Sequence, residues 1–171
     1  PTSVSLLSAQ LRLAKRITNV LRGGISLSDV NFGALVVTNS GDTAPGWRQL
    51  APQGAPIGAV SLNSSTPLQA GDEVEYTVYF LSDGRRGVSA VTLCDQIPLG
   101  TRFVFGSNRV RVGSQPLAIA GDFFTPLAPL PVNNPCTNQN NPNGSLIFNL
   151  GDLSNVPSNN VGYAQFRVKI E

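Results

Sequence analysis

A two-residue alternation that recurs along the chain restricts its fold more than any other feature. In Gly71-Asp72-Glu73-Val74-Glu75-Tyr76-Thr77-Val78-Tyr79-Phe80, the side chains of Val74, Tyr76, Val78 and Phe80 alternate with Glu73, Glu75, Thr77 and Tyr79. Side chains on a strand change face at every step, so this run predicts a strand with one buried face. Ala164, Phe166, Val168 and Ile170 repeat the pattern against Gln165, Arg167, Lys169 and Glu171. Ser82-Asp83-Gly84 marks a turn with Arg85 and Arg86 at its exposed tip, after which Val88 to Leu93 resumes as a strand. Shorter runs at Arg102 to Phe105, Arg109 to Val112 and Leu146 to Leu150 are bounded by Gly, Asn or Pro, with no helical pattern between them.

Strand following strand predicts an all-β fold, an antiparallel β-sandwich rather than a βαβ fold. The expected organisation is one sandwich domain over residues 11–171, preceded by an extended N-terminal arm at 1–10. Only 13% of residues are charged, against about 25% in an average soluble protein, so Asn, Ser, Thr and Gln must keep the surface wet. Two long proline-rich loops stand out, Ala44 to Ala59 around Trp47 and Pro126 to Pro142, and each must either pack or stay mobile. The arm reads two ways. Leu7, Ala9, Leu11 and Leu13 alternate as on a strand, while Val4, Leu7, Leu11, Ala14 and Leu21 satisfy helical spacing; the strand is favoured.

The same residues narrow the chemistry. Histidine is absent, which removes the commonest general base and most zinc sites. No phosphate-binding glycine loop or Cys-x-x-Cys occurs, and the pairs Gly41-Asp42, Gly71-Asp72, Gly121-Asp122 and Gly151-Asp152 read as turns rather than calcium ligands. No catalytic, cofactor-binding or metal-binding residues are expected, and the chain reads as a non-enzyme. No apolar run is long enough to span a membrane. The formal charge is +2, and Arg12, Lys15, Arg16 and Arg22 form the one local basic run, expected on a solvated strand edge; nucleic acid is not an expected partner. Tyr76 falls on the apolar side of its strand, which leaves Tyr79 as the surface aromatic.

Cys94 and Cys136 are expected to bridge in an oxidising compartment, the alternative being two buried thiols. Closing that loop contributes roughly 4 kcal/mol on chain-entropy grounds. The chain starts at Pro1 and holds no methionine, which is compatible with removal of a secretion leader.

Leu68 to Phe105 carries a Gly-Asp turn at Gly71-Asp72, a strand through Val74, Tyr76 and Val78, and then Val91, Asp95, Ile97, Pro98, Gly100, Thr101 and Phe103 in order. This stretch resembles the repeat of bacterial surface proteins catalogued as domain of unknown function eleven. Leu11 to Val20, Pro45-Gly46-Trp47, Phe124 to Pro131 and Asn160 to Lys169 further resemble its secreted, single-domain cyanobacterial members. The resemblance implies an immunoglobulin-like or transthyretin-like sandwich outside the cell, with no catalytic residues to carry over. Family members commonly hold several copies, whereas this chain holds one, which argues against a plain stalk.

The functional expectation is an extracellular structural protein of the cell surface or matrix. Val4, Leu7, Ala9, Leu11 and Leu13 would form an assembly arm that adds a strand to the next subunit, giving a head-to-tail homo-oligomeric filament. The competing expectation is a monomeric adhesion module whose proline loops or Tyr79 contact polysaccharide or a surface-layer protein.

Overall fold

The computed structural model describes residues 8–50, 54, 56–62, 65, 67–137 and 140–171. Ten strands occur among them: β1 (Leu11–Arg22), β2 (Ile25–Ser26), β3 (Glu73–Ser82), β4 (Val88–Gln96), β5 (Thr101–Phe103), β6 (Arg109–Val112), β7 (Ala118–Ile119), β8 (Asp122–Phe124), β9 (Ser145–Leu153) and β10 (Val161–Ile170). The larger sheet runs β2-β1-β3-β10-β6-β7, with β5 also pairing β10; the smaller runs β4-β9-β8. Every strand pair is antiparallel. The alternating segments therefore build an all-β sandwich, and Leu11–Arg22 is strand, not helix.

The inward faces meet where the alternation predicts. Val74, Phe166 and Val168 of the larger sheet pack on Leu146 and Phe148 of the smaller, and Phe80 packs on Val91 and Leu153. Burying each such side chain contributes about 1.5–3 kcal/mol, which is the main reason the two sheets stay together.

Sequence patterning gave β3 one buried face, and it has two. Thr77, Tyr79 and Leu81 point away from the sandwich yet are all buried. The segment between β2 and β3 folds back as a strap over them. Its anchor is Trp47, 1% exposed, which packs with Ala14, Tyr79, Leu81 and Val161. The Trp47 Nε1 donates to the Gly41 carbonyl at 2.8 Å, so the ring is buried without an orphaned donor. At the strap's far end Ile17 and Ala59 exchange backbone hydrogen bonds of 2.8 and 2.9 Å. Gly58 stands there at φ +120°, where a side chain would lie 2.7 Å from the Ile17 carbonyl. Tyr79, expected at the surface, is instead held under the strap, its hydroxyl donating to the Ile57 carbonyl at 3.2 Å.

The second proline loop is packed too. Cys94 and Cys136 form a disulfide with Cα atoms 5.1 Å apart, tying the loop to β4. Asn141, fully buried, donates to the Thr125 carbonyl at 2.8 Å and accepts from Ser145 Oγ at 2.6 Å, so side-chain amides replace the ladder this loop lacks.

Candidate functional site

The basic run on β1 is not a solvated edge. Arg12 pairs with Asp83, Lys15 with Asp95, Arg16 with Asp42 and Arg22 with Asp72, at 2.7 to 2.8 Å. Arg16 and Asp42 are both buried, because the strap lies over that face and brings Asp42 with it. Burial opposes ionisation of Asp42, but hydrogen bonds from Thr38 and the Arg16 charge outweigh it and hold the carboxyl below its ordinary 3.8. The hydrogen bond from Arg22, working against burial, likewise lowers Asp72. Two of the Gly-Asp pairs read as turns therefore also supply counter-ions to β1. Asp152 accepts from the Ala90 amide at 2.8 Å. Among the described residues no three acidic or cysteine side chains gather as a metal site.

Of the arm residues named from sequence, Val4 and Leu7 lie outside the described residues. Ala9 bridges Arg86, and the carbonyls of Ser8 and Gln10 accept from Arg85 and Asp83, so residues 8–10 are seated on their own domain's β3–β4 turn. Gly84 permits this approach: a side chain there would lie 2.7 Å from the Ser8 carbonyl. Leu11 and Leu13 go further, pairing with Ser82 and Phe80 inside β1 and β3. The arm boundary thus falls earlier than position 10, and Leu11 and Leu13 are part of the sheet, not a detached inserting face. Period-two patterning reports that a strand forms; it does not say in which subunit.

Leu13 nonetheless marks a site. It shares the inward face of Phe80, opposite the smaller sheet, yet it is 49% exposed. Among the described residues β4 has one neighbour, β9, and is the margin of its sheet. Among the described residues the smaller sheet ends at β4, and no strand covers the inward face of β1 at Leu13 and Lys15. Lys15 Nζ reaches across to Asp95 of β4 at 2.7 Å and sits 4.4 Å above the Tyr76 ring. Burial pushes the Asp95 carboxyl up, against the pull of Lys15. A bulge breaks the β4–β9 register between Val88 and Thr92, so the regular stretch of this margin runs from Thr92 to Asp95. Leu13 and Lys15 thus flank the margin of β4, and sequence could not locate this uncovered stretch because it depends on where the smaller sheet stops.

No family model, curated protein or solved structure matches this chain. What stands is an all-β sandwich closed by one disulfide, with no helix among the described residues long and apolar enough to cross a membrane. The disulfide is compatible with an oxidising setting.

A second concavity lies on the outward face of the larger sheet, at the margin of the strap. It has a volume of about 320 Å³, with Thr18, Glu75, Thr77 and Gln165 on its floor and Tyr79 and Tyr163 beside them. Thr18 Oγ1 and Gln165 Nε2 both donate to Glu75 Oε1, at 2.9 and 3.1 Å. The two tyrosine rings meet edge to face at 6.1 Å.

Proposed function

We propose that the chain is a non-enzymatic, extracellular structural domain of a bacterial surface that assembles head to tail, a neighbour's N-terminal strand adding to the free margin of β4. The observation carrying this reading is the β4 margin: among the described residues the smaller sheet ends there, beside an inward-facing leucine, Leu13, that is left half-exposed. An added strand would pair with the outward backbone groups of Thr92–Asp95 and cover Leu13, obtaining affinity from the main chain and register from alternating side chains. The donor we infer is the stretch through Val4 and Leu7 of the next copy, since Ala9, Leu11 and Leu13 are already engaged at home. Such a contact is heterologous, and repeated it yields a filament rather than a closed dimer. Secretion and kinship with the surface repeat belong to the same proposal, supported by the disulfide and by the Gly71 to Phe103 motif.

The test is deletion of residues 1–7, followed by size-exclusion chromatography and negative-stain microscopy. Full-length protein should form filaments with a concentration-dependent onset, and the truncated protein should remain a folded monomer. A full-length protein that stays monomeric at high concentration overturns the reading.

A further inference from the structure

We propose that the uncovered outward face of β5, β6 and β10 binds an acidic polysaccharide, one bearing uronate or similar anionic groups, with the cleft at Glu75 seating one of its sugar rings. This is independent of strand addition, which uses the opposite flank of the molecule.

The face assembles itself from separate strands. Cross-strand partners share a face, and the register places Arg111 beside Tyr163, Arg109 beside Gln165, Arg167 beside Glu75, and Arg102 and Glu73 on either side of Lys169. The intervening residues Val110, Ala164, Phe166 and Val168 belong to the core, so these five cations all point outward. Arg167 pairs with Glu73 at 2.9 Å. Arg102, Arg109, Arg111 and Lys169 have no carboxylate within ion-pair distance among the described residues. In contrast to β1, where every cation holds an aspartate, this face gathers four cations that form no ion pair among the described residues. Unpaired cations pooled on one face attract a polyanion.

The neighbouring cleft selects among polyanions. Its floor presents the Glu75 carboxylate, whose Oε1 alone is engaged among the described residues, held by Thr18 and Gln165 beside the buried Thr77 hydroxyl. A carboxylate accepts hydrogen bonds from sugar hydroxyls, which every uronate ring carries and an internal DNA nucleotide lacks. Tyr163 presents a ring at the cleft wall, but a row of stacked bases would need a series of exposed rings. Arg109 and Arg111 stand two residues apart on one strand, about 7 Å, and present planar forks suited to carboxylate groups.

Binding to immobilised polygalacturonate, neutral dextran and single-stranded DNA, read by biolayer interferometry at low and high salt, tests this. Polygalacturonate should bind, salt-sensitively, and dextran should not. The R109Q/K169Q variant should lose about tenfold in affinity while R85Q/R86Q, the same charge change on the β3–β4 turn, changes it less than about twofold. Glu75→Gln should weaken polygalacturonate binding even though it adds to the net positive charge; circular dichroism checks that each variant is folded. Failure to bind polygalacturonate at low salt, equal losses in both double variants, DNA binding as tight as polygalacturonate, or stronger binding by Glu75→Gln would each overturn the proposal. The deletion of residues 1–7 should leave binding intact in every case, which separates this result from that of the assembly test.

Discussion

β1 and β4 run along the same flank of the sandwich and are finished in opposite ways. β1 is closed: β2 pairs its end at Leu21 and Arg22, the strap exchanges hydrogen bonds with Ile17, and each of its cations is matched by an aspartate. Among the described residues β4 keeps one strand neighbour and a bulge, with the Lys15–Asp95 pair the one ionic link from it to β1. Edge strands are hazards that folds blunt with charge, bulges and covering segments. β1 carries all three, with a bulge of its own between Ile17 and Asn19, whereas Thr92–Asp95 keeps a regular register with Asp95 as its one charge, which is what the proposed strand addition requires.

Breaking the closed side should cost most. Asp42→Ala leaves the buried Arg16 guanidinium without its counter-ion and should destabilise the domain by about 3–5 kcal/mol in a denaturant titration. Removing the Cys94–Cys136 bridge as a double serine variant should cost roughly 2–5 kcal/mol and release the second proline loop to proteolysis, with the core unchanged.

Acid should act through the closed side as well. Asp42 and Asp72 have lowered carboxyl pKa values in the fold, so their contribution is present above the ordinary value of 3.8 and is lost as the pH falls through their folded values. The thermal midpoint should therefore drop below about pH 4. Asp95 is raised and has the opposite sign, contributing most at low pH and losing that contribution as the pH rises. Relative to Asp95→Asn, the native protein should accordingly fare better in acid than at neutral pH.

On the open side, stability and assembly should part company. Leu13→Asp places a charge on a half-exposed position and should change monomer stability by no more than about 0.5 kcal/mol. In sedimentation velocity the same variant should fail to form higher species.

Much of the sandwich was legible because β3 and β10 alternate over their lengths, and burial of their inner faces follows from that period alone. The strap left one sign, the consecutive Tyr79-Phe80-Leu81 at the end of β3, where alternation fails because both faces are covered. What covers them was not legible, since Trp47 lies far from β3 in sequence. The counter-ions of β1 are hidden for the same reason: Asp42, Asp72, Asp83 and Asp95 come from four separate turns and strands. The cations of β5, β6 and β10 never form a run, and they become a patch through cross-strand register alone.

Backbone hydrogen exchange along Thr92–Asp95, followed against protein concentration, probes strand addition directly. Alternate amides of this stretch should gain protection as filaments form, and deletion of residues 1–7 should abolish the gain. Protection already complete at the lowest concentration, or none at the highest, would contradict a strand supplied by a neighbour.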